Sequence, residues 1–140
     1  VNDLKAQIAA NEKGVAELEK MIAHFGLDVV EAYMGHVQDN AAESVRRVLD
    51  RLKDSSFEYE LDQGCKIVVR ISVDREAREA TVDFTGTSPQ QPDNFNAPAP
   101  FTRAAVLYVF RVMVDDDIPM NAGCLRPVKI VVPEGSMLSP

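Results

Sequence analysis

Asp83, Thr85, Thr87 and Gln90 fall in one polar run, Asp83-Phe84-Thr85-Gly86-Thr87-Ser88-Pro89-Gln90, which continues through Asn94-Phe95-Asn96. Their carboxylate, hydroxyl and amide groups can orient a substrate or partner by hydrogen bonding, and loops carry such tasks more often than cores do. Turn chemistry accounts for the same composition: Gly86 supplies an unusual backbone angle, while Ser and Pro punctuate the chain. No nucleophile–base pair accompanies the run.

Two other segments carry candidate groups. On a helix, Asp3, Gln7 and Asn11 fall at i, i+4 and i+8, one polar ribbon beside an apolar stripe. That ribbon is either a solvated face or a set of hydrogen-bonding groups, Gln7 and Asn11, turned toward another part of a longer parent. In Pro119-Met120-Asn121-Ala122-Gly123-Cys124-Leu125-Arg126-Pro127, Asn121 and Gly123 are ordinary turn formers. Arg126 can grip a carboxylate or phosphate with two parallel hydrogen bonds, or serve a structural ion pair.

The remaining reactive types form no recognisable set. His24 and His36 have no Cys, Asp or Glu partner at ligand spacing. Asp115-Asp116-Asp117 lacks the spacing and glycine of a calcium loop, and reads as a solvated helix end. No phosphate loop, dinucleotide fingerprint or G-x-S-x-G elbow occurs. Cys124 has no assignable base, so a small buried residue is its simpler role.

The elements that must position these groups follow from periodicity. Leu4, Ile8, Val15, Leu18, Ile22 and Phe25 recur at helical spacing, and Gly26 is placed to end that helix in the left-handed conformation. Asp28-Val29-Val30-Glu31 opens a second helix, whose apolar face runs from Val30 through Tyr33, Met34, Val37, Ala41, Val45, Val48 and Leu49 to Leu52. So short a link predicts an antiparallel helical hairpin over 1–54.

From residue 55 to 140 the pattern becomes that of a sheet-containing part. Phe57, Tyr59 and Leu61 alternate with charged residues, as do Ile67, Val69, Ile71 and Val73, then Ala80, Val82 and Phe84 with polar neighbours. The last two runs predict an antiparallel hairpin. Prolines 89, 92, 98 and 100 keep the next segment out of regular structure. A third helix near 101–114 follows, with Thr102 as its cap and Ala105, Val106, Val109, Phe110 and Met113 as its face. Val128, Ile130 and Val132 form a last strand. The fold class is α+β: an antiparallel helical hairpin, then a mainly antiparallel sheet with one further helix.

Composition bounds the function. The chain has 140 residues, 46% apolar and 26% charged, the balance of an ordinary soluble globular protein. A formal charge of −7 argues against nucleic acid as a partner, because phosphate binding needs clustered Lys and Arg. No apolar run reaches the roughly 18–20 residues of a membrane helix. Cys65 and Cys124 lack disulfide-framework or zinc spacing, which predicts two reduced thiols in a cytoplasmic protein. The chain opens on Val1 inside a helical pattern, which suggests a segment of something longer.

Taken in order, Asp3-Leu4-Lys5-Ala6-Gln7-Ile8-Ala9-Ala10-Asn11, Tyr33-Met34, Asp83 through Gln90, Asn94 to Asn96, Pro119 with Asn121 and Gly123, and Pro133-Glu134-Gly135-Ser136 resemble one family. It is the hydantoinase B/oxoprolinase family, the B-type subunit of N-methylhydantoinases. The resemblance runs from end to end and implies an internal segment of a longer B-type chain. It implies ATP-dependent opening of a cyclic amide such as a hydantoin or 5-oxoproline, through phosphorylation of a carbonyl or enol oxygen.

The implied partners are an A-type subunit or domain, which uses ATP with Mg²⁺, and the rest of the B-type chain. Acetone and acetophenone carboxylases are related, so an assembly module of a ketone carboxylase is the alternative. The metal-binding Asp and His residues of relatives are expected upstream, with no cofactor or metal held here. Gln7, Asn11, Asp83, Thr85, Gln90, Asn121 and Arg126 are then supporting or interface residues, and the segment alone is expected to be inactive.

Overall fold

A computed structural model describes residues 2–140. Helix α1 spans Asn2–Phe25 and α2 spans Leu27–Leu49. Gly26 separates them at φ 87°, where a side chain would be strained, and its N–H caps the Ile22 carbonyl at 2.8 Å. Both helices and their one-residue link are as the sequence predicts. The expected seam between their stripes is absent: α1 buries none of its residues, and Leu4, Ile8, Val15 and Phe25 stay more than half exposed. Periodicity identifies an apolar face without naming what covers it.

Two compact units divide within α2, one ending at Val37 and the other running from Gln38 to Pro140. The change of pattern near residue 54 marks the end of a helix. The change of packing falls earlier, because Ala41, Val45 and Leu49 on the second half of α2 belong to the core of the sheet-bearing unit.

That sheet has four strands in the order β1-β2-β3-β4: Ser55–Glu60, Lys66–Asp74, Glu79–Asp83 and Val128–Val131. β1 pairs antiparallel with β2 (Phe57 opposite Val69), and β2 antiparallel with β3 (Ile71 opposite Val82). β4 pairs parallel to β3, Ala80 opposite Val128 and Asp83 opposite Val131. A parallel neighbour needs a long crossover, and this one contains helix α3, Ala99–Met113, and a short 3-10 turn, Ala122–Leu125.

Alternation puts Ala80, Val82 and Val128 on the face that packs with α2 and with Val106, Phe110 and Val114. Val45 and Leu49 are essentially inaccessible, each contributing on the order of 1.5–3 kcal/mol from burial. A second small cluster joins Cys65, Met137 and Leu138 with Leu61, Ile67, Phe84 and Ala97. Phe84 touches both clusters.

Two details of α3 differ from expectation. Pro98, not Thr102, holds the cap position, because prolines preset the backbone for a first helical turn and need no N–H there. Thr102 lies inside the helix, buried. Of the expected face only Val106 and Phe110 are buried, whereas Val109 and Met113 are exposed. The helix is apolar on both sides, so periodicity alone could not choose between them.

The β2–β3 turn is fastened from outside. Asp74 Oδ1 accepts the N–H groups of Glu76 (3.0 Å) and Ala77 (2.9 Å), and Arg78 adopts φ 55°, which non-glycine residues seldom do. Its guanidinium pairs with Glu43 (3.1 Å) and Asp50 (2.8 Å) on α2. Arg78 holds the Asp50 carboxyl below the usual aspartate range. A depressed carboxyl adds stability above its unfolded value, about 4, and loses it as the pH falls through the folded value. Arg78→Ala should therefore lower Tm at pH 7, and the deficit should shrink as the pH drops below about 4. Thermal melts of both proteins across that range check the prediction; a pH-independent deficit would exclude the ion pair as its cause.

Candidate functional site

The Asp83 loop is built from its own side chains. Asp83, at the end of β3, accepts the Thr85 N–H at 2.8 Å. The neighbouring Thr85 hydroxyl, then that N–H and the charge of Arg70, hold its carboxyl below the ordinary aspartate range. Gly86 takes φ 101° and lets the chain turn back beside Val68. Thr87 Oγ1 then accepts the Val68 N–H at 3.1 Å and donates to the Val68 carbonyl at 3.2 Å. Ser88 repeats the arrangement at Lys66, whose N–H reaches Ser88 Oγ at 2.8 Å and whose carbonyl accepts the Ser88 N–H at 2.9 Å. These two residues substitute for a neighbouring strand at the start of β2.

The second half of the loop is closed by Asn96. Its Oδ1 accepts the Gln91 N–H at 2.8 Å, and its Nδ2 donates to the carbonyls of Gln91 (3.0 Å) and Asp93 (2.9 Å). Gln91 Nε2 donates to the Pro89 carbonyl at 2.7 Å. The loop also pairs with the segment after β4: Gln90 N–H with the Gly135 carbonyl (2.8 Å), Met137 N–H with Ser88 (3.0 Å) and Ala97 N–H with Met137 (2.7 Å). The polar run and Pro133-Glu134-Gly135-Ser136, far apart in sequence, thus form one hydrogen-bonded surface.

Of the predicted residues, Asp83, Thr85 and Gln90 share this loop. The Asp83 carboxylate is engaged, whereas the Gln90 side chain is exposed and makes no hydrogen bond among the described residues. Asn121 and Arg126 flank the 3-10 turn. Asn121 Oδ1 caps it through the Gly123 N–H at 2.8 Å. Arg126 donates to Asp39 and, at 2.6 Å, to Gln38 Oε1, both on α2. Its role here is the structural ion pair rather than anion capture. Gln7 and Asn11 stand exposed on α1, in the unit that ends at Val37.

His24 and His36 make edge contacts with Phe25 and Tyr33. Cys65 and Cys124 are free and buried. Among the described residues no three His, Cys, Asp or Glu side chains group to hold a metal ion. No described helix is long and apolar enough to cross a membrane.

Sequence reading missed a cleft of about 420 Å³ between α2 and the end of α3. Arg47 and Arg51 line one wall and Asp115 and Asp116 the other. The i,i+4 spacing of the arginines was the available signal. The cleft offers charge of both signs and no nucleophile.

An α+β unit whose polar loop is hydrogen-bonded to a Pro-Glu-Gly-Ser turn, with no self-contained catalytic set, defines a class of scaffold segment. The sequence profile of the Hydantoinase B/oxoprolinase family matches residues 1–140, and the chain belongs to that family. It is 43% identical over 150 residues to a 5-oxoprolinase of Dictyostelium discoideum, with 100% of this chain covered and 12% of the relative. It is 44% identical over 156 residues to 5-oxoprolinase 1 of Arabidopsis thaliana, with the same shares.

A Pseudomonas sp. (strain NS671) protein described as the B-type subunit of a D-/L-hydantoinase is 30% identical over 157 residues, covering 100% of this chain and 26% of that one. The crystal structure of an ATP-dependent caprolactamase from Pseudomonas jessenii shares the fold, with TM-score 0.72, 23% identity, and coverage of 98% of this chain and 25% of that chain. The chain thus spans about an eighth of the oxoprolinases it matches.

Two stability outcomes follow. Thr87→Val keeps the volume but strands the Val68 N–H and carbonyl, and should cost about 1–3 kcal/mol in urea unfolding. A Cβ on Gly123 would collide with the Gln38 carbonyl oxygen, so the turn must back away from α2. Gly123→Ala should lose about 1–3 kcal/mol or more by the same measurement; a neutral result would show that the turn yields freely.

Proposed function

We propose that this chain is a scaffold segment of the B-type part of an ATP-dependent cyclic-amide hydrolase of the hydantoinase/5-oxoprolinase type, inactive by itself. The observation that carries the reading is the family match along all 140 residues, joined to identities of 43% and 44% with two 5-oxoprolinases. The geometry supports the scaffold role, because the loop's Asp83, Thr87, Ser88 and Asn96 side chains are consumed in holding the loop.

The residues present do not fit an ATP or Mg²⁺ site. They offer neither a glycine-rich phosphate loop nor a cluster of metal-ligating side chains among the described residues. ATP with Mg²⁺ is assigned to an A-type partner, and any further divalent metal to other parts of the parent. What this segment can supply is a rigid edge that presents the Gln90 amide, a group able to donate to and accept from a lactam or a neighbouring subunit.

A second reading, an assembly module of a related ketone carboxylase, is favoured by the exposed apolar stripe of α1. Assay of the parent chain with its A-type partner separates the two. Opening of 5-oxoproline or a hydantoin that depends on ATP supports the hydrolase, and bicarbonate-dependent ketone consumption in its place supports the carboxylase. The 140-residue chain alone should turn over none of these; robust turnover by it would end the scaffold reading. In the parent, Gln90→Ala should reduce turnover or assembly while leaving Tm within about 1 °C, since exposed unpartnered side chains carry little stability. Unchanged turnover and assembly would remove Gln90 from the site.

A further inference from the structure

Helix α3 has two apolar faces, and the Gln38–Pro140 unit uses only one. Thr102, Val106 and Phe110 step along the buried side at intervals of four. On the outer side Phe101, Ala105, Tyr108 and Val112 fall at i, i+4, i+7 and i+11. Phe101, Tyr108 and Val112 are 69%, 64% and 64% exposed. A surface helix ordinarily turns a polar face outward, and one that is apolar all round belongs in an interior. Exposed continuous apolar surface of this kind marks an interaction site.

We infer that the outer face of α3 is an internal packing surface, covered by another segment of the same B-type polypeptide. The length of chain outside this segment supports that occupant. A chain about four times as long contains this fold in the caprolactamase, and the 5-oxoprolinases are about eight times as long. A second copy of this chain fits poorly. α3 contains no acidic residue, and Arg103 and Arg111 lie symmetrically about Leu107. A twofold antiparallel contact would set each Arg103 near the partner copy's Arg111 with nothing to neutralise either. The inference rests on the family membership and on chain length, independently of the reaction proposed above.

Val112→Cys in the full-length B-type chain, followed by maleimide labelling and mass spectrometry, tests it. Cys65 and Cys124 are buried and give an internal reference for slow labelling. The new thiol should react at least about tenfold slower in the native chain than in urea, without an A-type subunit and at any protein concentration. Labelling as fast as in urea overturns the inference. So does protection lost on dilution, which would indicate a second copy, and so does protection acquired only when the A-type subunit is added. Circular dichroism checks folding, and Ala105→Cys serves the same experiment if Val112→Cys does not fold. Turnover is not measured, so failure here is separate from failure of the hydrolase reading.

Discussion

The parallel pairing of β3 with β4 is the constraint on which the rest of the sheet-bearing unit depends. Parallel strands leave the sheet at the same end, and Asp83 stands opposite Val131. The loop after β3 and the segment after β4 therefore emerge side by side, where Gln90 meets Gly135, Ser88 meets Met137 and Ala97 meets Met137. Pairing β4 antiparallel to β3 would send Pro133-Glu134-Gly135-Ser136 to the far end and leave the polar loop without its support. The same pairing requires a long crossover, which places α3 over the sheet and makes Phe110 part of the core.

From this follows the character of the polar loop. Its main chain stands away from the regular ladder, so its N–H and carbonyl groups need partners that a strand would otherwise supply. Thr87, Ser88 and Asn96 provide them, each bridging both a donor and an acceptor of the neighbouring backbone. A density of Thr, Ser and Asn is what such a loop requires. Groups already engaged in pairs lose hydrogen bonds if they turn to a substrate, whereas the Gln90 amide loses none.

Much of the architecture was legible because half-buried strands write their pattern plainly. Ile67, Val69, Ile71 and Val73 alternate, and β2 runs through all four. Gly26 marks a helix end that only a left-handed residue can make so abruptly. The partner of each face was not legible, because hydrophobic spacing records a need for cover and not its source. The helical stripe of α1 and the two-sided α3 both misled for this reason. Arg126 was equally ambiguous until its distance to α2 was known, since a guanidinium that grips Asp39 and Gln38 is written in sequence no differently from one that grips phosphate. The choice between turn chemistry and function at Asp83–Asn96 likewise depended on partners 19 and 22 residues away, at Val68 and Lys66.

The close approach at Gly123 shows how the crossover is finished. Gly123 is buried against the Gln38 carbonyl, closer than any side chain could permit. Asn121 fixes the turn through the Gly123 N–H, and Arg126 reaches the two α2 residues Gln38 and Asp39. Three residues of one short motif thus act on a single contact: Gly123 permits it, Asn121 shapes the backbone entering it, and Arg126 fastens it. Pro127 and Val128 follow directly, so the position of this contact helps set where β4 begins and hence its register against Ala80. A motif with the residue types of an anion site is, in this fold, the device that aligns the last strand. That alignment in turn brings the Pro-Glu-Gly-Ser turn to the polar loop.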